Sequence, residues 1–393
     1  MTKQSPIITS LLDNDFYKFT MQHAVVKLFP TARVRYGFIN RGDQRFPEGF
    51  DRALRQELEA MQMLRLTTEE KAFLRLNCPY LDPTYLDFLS GFQYDPAEVQ
   101  VTLLDGELKV VVEGYWYRTI LWEVPLLALI SELYYRLMGL KRISDAEVVS
   151  VVREKILHYR KLGVKIAEFG TRRRHSYEVH KLVVRTLLDE GEGCFTGTSN
   201  VALARTFGVK PIGTHAHEWF MFHAARYGFK MSNALALENW VNVYRGDLGI
   251  ALSDTYTTAV FFESFDKKFS KLFDGIRHDS GDPLVFSRQA IDHYRSFNID
   301  PLSKTIIFSD GLDPGKVDHI ASFCRGKIGM SFGIGTNFTN DVGLEPLNIV
   351  IKMTAARPEG EHWVRVVKLS DEHGKYTGDP DMIALAKTVL GIP

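Results

Sequence analysis

Cysteine is scarce: Cys78, Cys194 and Cys324 are the only three in 393 residues. They stand too far apart for a zinc-ligand spacing or a disulfide framework, so buried free thiols in a reducing compartment are expected. Charge of one sign is not in excess either. Forty-eight Lys and Arg balance 48 Asp and Glu, for a formal net charge of zero. This argues against nucleic acid or a membrane surface as the main partner, but leaves room for a local basic pocket. Long hydrophobic runs are missing. The most apolar stretch, Leu121 to Ile130, is broken by Glu123 and Pro125 and is too short to cross a bilayer. The N-terminal MTKQSPIITSLLDNDFYK has no apolar core and carries early acids, unlike a signal peptide. Internal repeats and low-complexity segments are also lacking, which excludes a solenoid. A soluble, cytoplasmic globular protein with room for two domains is expected.

Two grammars follow one another along the chain. In the first, LLDNDFYKFTMQ opens a helix near Asp15, with Asp13 and Asn14 placed to cap it. Val34 to Phe38 alternates as a strand, and helical patterns cover Asp51 to Leu64 and Thr68 to Leu76. Val99–Leu104 and Leu108–Glu113 flank Asp105-Gly106, a strong hairpin signal. Trp122 to Met138 is an apolar helix, and Ser144-Asp145 starts an amphipathic one. From residue 165 short apolar pieces recur, each ending in a polar or glycine-bearing loop. These loops are FGTRRRHS, FTGTSN, GTHAHE, LSDTY, GIRHDSGDP, FSDGLD and FGIGTN. Leu347 to Met353 reads as an eighth apolar piece. Seven to eight alternating β/α units predict a parallel barrel or a large doubly wound sheet; eight favours a C-terminal parallel α/β barrel of TIM type, with functional groups at the strand C-terminal ends. The expected division is an N-terminal α+β domain over 1–140 and a barrel over 141–353. The segment 354–393, with a strand-like Trp363 to Leu369, returns to the N-terminal domain.

The polar clusters favour phosphate chemistry. At GTHAHEWF, Gly213 to Phe220, a short apolar strand, Val209 to Ile212, meets a tight turn and a helix start, where free N–H groups attract anions. His215 and His217 allow a structural role, a metal pair like that of some barrel hydrolases, or a nucleophile that accepts phosphate. Arg172 to Arg174 at a strand end suit anion clamping by at least one guanidinium. The FSDGLD and FGIGTN loops suit a backbone phosphate cradle. Asp279 suits ribose hydroxyls or a hydrated magnesium ion, while Asp282 before Pro283 reads as a helix start. Neighbouring arginines and glycine loops favour the phosphate-accepting histidine over the metal pair.

FGTRRRHS, GTSN, GTHAHEWF, RHDSGDP, FSDGLD and FGIGTN, with LLDNDFYK, occur in an order and form that resemble the nicotinate phosphoribosyltransferase family, from about residue 8 to residue 370. The resemblance implies condensation of nicotinate with phosphoribosyl pyrophosphate to nicotinate mononucleotide and pyrophosphate, the first step of NAD salvage from nicotinate. It implies ATP as co-substrate, Mg2+ as cofactor and a homodimer. It makes His217 the phosphorylated histidine and gives His215 no catalytic role. Tyr17 and Phe169 would flank the pyridine ring, and Arg277 would meet the nicotinate carboxylate or the phosphates. Asp279 would hold the ribose hydroxyls. Arg173, with Asp310, Gly311, Gly333, Gly335 and Thr336, would hold phosphates, and Thr198 and Ser199 would line the pocket. The alternative reading is a metal-dependent barrel hydrolase using the His-x-His pair.

Overall fold

In a computed structural model, residues 5–360, 362–372 and 375–393 are described. Their strands are β1 (Arg33–Asn40), β2 (Val99–Leu104), β3 (Glu107–Tyr115), β4 (Ile166–Glu168), β5 (Phe195–Thr198), β6 (Arg245–Leu248), β7 (Ile250–Leu252), β8 (Gly275–His278), β9 (Thr305–Phe308), β10 (Gly329–Ile334), β11 (Ile349–Arg357) and β12 (Val364–Arg365). They build two sheets of opposite character. The first, in the order β12-β11-β1-β3-β2, is antiparallel throughout. The second, in the order β5-β4-β10-β9-β8-β7, is parallel throughout.

The hairpin forms where Asp105-Gly106 predicts it. Both residues have positive φ, 48° and 77°, as the tight turn between right-twisted strands requires. The helix Asp145–Leu162 begins at Ser144 with a full capping box to Glu147. Asp282 caps Pro283–Ser296 through Leu284 and Val285, as expected of a helix start.

Three expectations are corrected. The apolar piece at Leu347–Met353 is not an eighth unit of the parallel series. Its residues from Ile349 enter β11, antiparallel to β1, with Phe38 opposite Ile351. An apolar run states burial, not the direction of its partner. Val209–Ile212 forms no strand, only a single parallel bridge from Pro211 to Thr198. Asp13 and Asn14 do not cap the helix Phe16–Leu28; its N-cap is Asp15, which makes no side-chain cap bond. Asp13 is instead buried against Arg174, and Asn14 Nδ2 donates to the Leu121 carbonyl at 2.9 Å. A buried carboxylate needs a cation or donors more than a helix needs a cap.

Packing joins the two sheets. Helix His217–Tyr227 lies within the parallel series, between β5 and β7, yet its Phe222 ring meets Trp116 with centroids 4.3 Å apart and Phe29 at 4.8 Å. The return segment after β11 also crosses over, since Leu369 N–H donates to the Thr255 carbonyl at 2.9 Å. No helix of the described residues is long and apolar enough to cross a membrane.

Candidate active site

The parallel strands end on one side, and their following loops carry the polar residues. β4 leads to Phe169 and the arginines, β5 to Ser199, β7 to Asp254, β8 to Asp279, β9 to Ser309 and β10 to Gly335. The end of β4 is pinned by Glu168, which is fully buried and accepts from His180 Nε2 at 2.7 Å and from the Thr198 hydroxyl. From the other sheet, Tyr36 of β1 and Lys352 of β11 reach the same place.

Two adjoining hollows result, of about 200 and 470 Å3. The first is walled by Tyr17, Tyr36, Phe169, Met221, Ile351 and Met353, with Ser199, His217 and Lys352 at its edge. The second is polar and carries Arg173, Ser309, Gly311, Gly333, Gly335 and Thr336. Phe169, Arg172, Arg277 and Asp279 line both. Of the site residues expected from sequence, Thr198 and Asp310 line neither. The Thr198 hydroxyl is spent on Glu168, and the Asp310 carboxylate pairs with Lys375 at 2.9 Å. Gly333 has a steric duty: a Cβ there would lie 2.2 Å from the Phe169 ring, so only glycine lets that ring lie against β10.

His217 opens its helix. Its Nδ1 lies 3.1 Å from Thr255 Oγ1 and 3.7 Å from Asp254 Oδ1. Its Nε2 lies 3.0 Å from both Lys368 Nζ and Asp279 Oδ2. Lys368 also pairs with Asp254 at 2.9 Å. Nε2 thus faces a donor, the Lys368 ammonium, and an acceptor, the Asp279 carboxylate, at equal distance. Burial and the Lys368 charge push the imidazole down to about 4, against the pull of Asp254 and Asp279. The ring is therefore neutral at physiological pH. Asp279 is held well below the usual carboxylate range: against the cost of burial, Arg277 and His217 favour its charge. Arg277 donates to Asp279 at 3.0 Å and to Ser309 at 2.9 Å. His217, Asp254 and Asp279 also offer ligand atoms within 4.8 Å of one another, and Asp254 Oδ1 is buried without a hydrogen-bond partner.

The three arginines divide. Arg174 is fully buried and forked onto Asp13, at 2.6 and 2.7 Å. Arg172 lies between Asp15 at 3.9 Å and Glu123 at 3.7 Å. Arg173 has no ion pair among the described residues; burial, with Arg172 and Arg41, pushes it down to about 10. That is a cation short of an anion. Behind the first hollow, fully buried Lys18 bridges Glu123 and Glu218, and Tyr36 donates to Glu218.

His215 and His217 do not form a pair. His215 is fully buried edge-on to Trp240 (4.7 Å) and Phe220 (5.3 Å), and neither ring nitrogen has a partner. Burial pushes it down to about 3. Its unfolded state takes a proton near pH 6.5 and its folded state does not. The stability it contributes is thus full above about pH 6.5 and is lost as pH falls toward 3, by at most about 1.4 kcal/mol per pH unit. His215→Leu is expected to lose this dependence, raising the urea midpoint at pH 5.5 relative to the parent. Turnover at pH 7.5 is expected to stay within about twofold, because the ring touches neither hollow.

Sequence reasoning overlooked Lys352 and Lys368. Lys352 hides in an apolar strand, and Lys368 lies in the return segment beyond the loop series. Only the strand-like run through Leu369 hinted that this segment comes back.

The whole chain also has relatives. Residues 164–393 match the model of the nicotinate phosphoribosyltransferase (NAPRTase) family, and residues 12–131 match that of its N-terminal domain. The chain is 64% identical to a nicotinate phosphoribosyltransferase of Chromohalobacter salexigens, over 98% of this chain and 99% of that one. A nicotinate phosphoribosyltransferase of Desulforapulum autotrophicum is 49% identical, over 98% and 99%. Among solved structures, the nicotinate phosphoribosyltransferase of Porphyromonas gingivalis superposes with a TM-score of 0.96 at 48% identity, over 98% of this chain and 100% of that one. The Vibrio cholerae one gives 0.92 at 34%, over 100% and 96%. With matches of this extent in both sequence and fold, the chain belongs to the nicotinate phosphoribosyltransferase family.

Proposed function

We propose that the family's reaction, joining nicotinate to phosphoribosyl pyrophosphate, takes place across the two hollows and is coupled to ATP through phosphorylation of His217. The observation that carries this reading is the position of His217, buried at a helix start with Lys368 and Asp279 3.0 Å and Asp254 3.7 Å from its ring nitrogens. In the coupling step, Nε2 attacks the γ-phosphorus of ATP; the N–P bond forms, the bond to the bridging oxygen breaks, and ADP leaves. Lys368 stands beside the new phosphoryl oxygens, and Thr255 keeps the proton on Nδ1. Carboxylate oxygens are the donors magnesium prefers, so Asp254 and Asp279 would hold Mg2+. When bound, that ion would neutralise phosphate charge next to Asp279.

In the transfer step the pyridine ring occupies the first hollow between Tyr17 and Phe169, beside Ser199. Asp279 holds the ribose hydroxyls where the hollows meet. Phosphates enter the second hollow, toward Arg173 and the Gly311, Gly333, Gly335 and Thr336 backbone. Breaking the bond from C1 to pyrophosphate builds negative charge there, where Arg173 has charge to spare. The nicotinate nitrogen attacks with its own lone pair and needs no general base. Phosphorylation tightens substrates by adding about −1.5 to −2 charges, and hydrolysis of the phosphoryl group releases products.

The architecture is read as a TIM-like barrel: the bridge at Pro211 extends one sheet edge, and the Thr214 hydroxyl, 3.2 Å from the Ile250 carbonyl, reaches the other. The barrel domain is taken as 141–353 and the N-terminal domain as 1–140 with 354–393. A homodimer in the cytoplasm belongs to the same reading, although one chain supplies every wall named above. The His-x-His hydrolase has no support, because His215 is packed against Trp240 and Phe220 and lines neither hollow.

Gly333→Ala tests the placement. Its Cβ displaces Phe169, so the KM for nicotinate is expected to rise about 10-fold. An unchanged nicotinate KM would remove the ring from this hollow.

A further inference from the structure

The basic residues around the first hollow are almost all committed. Lys18 is locked between Glu123 and Glu218, Arg277 between Asp279 and Ser309, and Lys368 between Asp254 and His217. Arg172 faces Asp15 and Glu123. Lys352 differs. It stands on β11 opposite Gly37, with buried Ile351 and Met353 on either side, and it lines the hollow that Tyr17 and Phe169 wall. Among the described residues its ammonium has no hydrogen bond and no ion pair. Burial, with Lys368 and Arg172 adding, pushes it down to about 8, although Glu123 pulls the other way. Its charge is thus poorly compensated in an apolar cavity, where a monoanion gains most.

We propose that Lys352 is the specificity-determining residue of the first hollow, binding the carboxylate of the pyridine ring and rejecting the neutral amide. This rests on the reading that places the ring there. The acids that would repel a carboxylate are already answered: Glu123 and Glu218 by Lys18 and Tyr36, Asp279 by Arg277, and Asp15 by the Ser199 hydroxyl and Arg172. A carboxylate offers the ammonium two acceptor oxygens. A carboxamide offers one acceptor and turns N–H donors toward a group that only donates.

The experiment uses Lys352→Met, Lys352→Gln and Lys352→Arg, with thermal midpoints compared to confirm folding. Removing a charged hydrogen-bond partner is expected to raise the KM for nicotinate about 10- to 100-fold. The kcat and the KM for phosphoribosyl pyrophosphate are expected within about threefold of the parent. The preference for nicotinate over nicotinamide, read as the ratio of nicotinamide Ki to nicotinate KM, falls by the same factor, and Lys352→Arg restores most of it. The Gln variant is expected to match the Met variant, and serves in its place should the latter misfold. An unchanged preference, or a rise in the phosphoribosyl pyrophosphate KM instead, overturns the proposal. Gly333→Ala separates the two levels. If it raises the nicotinate KM while the Lys352 variants keep their preference, only the role of Lys352 falls. If neither change affects nicotinate, the placement of the ring falls as well.

Discussion

His217→Ala is expected to lose all stimulation by ATP and to keep a slow, ATP-independent transfer of the phosphoribosyl group. The substitution removes the nucleophile but none of the groups assigned to the two hollows. Tyr17, Phe169, Arg173 and the glycine loops lie on other elements, and Asp279 keeps its bonds to Arg277 and Ser309. Lys368 keeps Asp254, so no charge is orphaned. In the parent, ATP should lower the KM of both substrates, since the phosphoryl group is a binding switch rather than a participant in C1–N bond formation. In the variant, KM values with and without ATP should coincide with those of the parent without ATP. The measurement is steady-state formation of nicotinate mononucleotide at varied substrate, with and without ATP and magnesium. Complete loss of the ATP-independent reaction in a folded variant would mean that His217 takes part in the transfer itself.

Arg174→Leu is expected to be among the most damaging changes to stability, at about 3–5 kcal/mol. The guanidinium is fully buried, and Asp13 has its two bonds to Arg174 and one from Asn200 Nδ2 at 2.7 Å. Removing the cation leaves a carboxylate in the interior with one neutral donor. Against the cost of burial, Arg174 lowers the pKa of Asp13, so in the parent this pair contributes stability above the ordinary carboxylate pKa and loses it as pH falls through the lowered value. In Arg174→Leu the sign reverses. Burial without a cation raises the Asp13 pKa, so the variant's deficit should shrink as pH falls toward 4. Urea unfolding at pH 7.5 and 4.5 measures both. The double variant Asp13→Asn with Arg174→Leu should recover part of the loss, because no charge then remains buried.

Much of this molecule could be read in advance where the signal is local. Asp105-Gly106 makes a hairpin because two positive φ values are needed within two residues. Ser144 and Glu147 start a helix because their side chains answer each other's N–H groups. The loops after the parallel strands stand out because glycine and charge interrupt apolar pieces at regular intervals. What escaped depends on partners far along the chain. Asp13 looks like a cap until Arg174, 161 residues away, is folded onto it. β11 has the same apolar texture as the barrel strands, yet pairs with β1 in the opposite direction. Lys352 reads as an interruption of that texture, and Lys368 as one charge in a polar return. Both acquire meaning only when β11 and the return segment lie across the strand ends. A pattern of burial carries no address, and these two lysines are a matter of address.

The most direct measurement is intact mass after incubation with ATP and magnesium, on the parent chain and on His217→Ala. The account predicts one acid-labile phosphoryl group on the parent and none on the variant. A parent chain that gains no phosphoryl group, or a variant that gains one as readily, would contradict the coupling through His217.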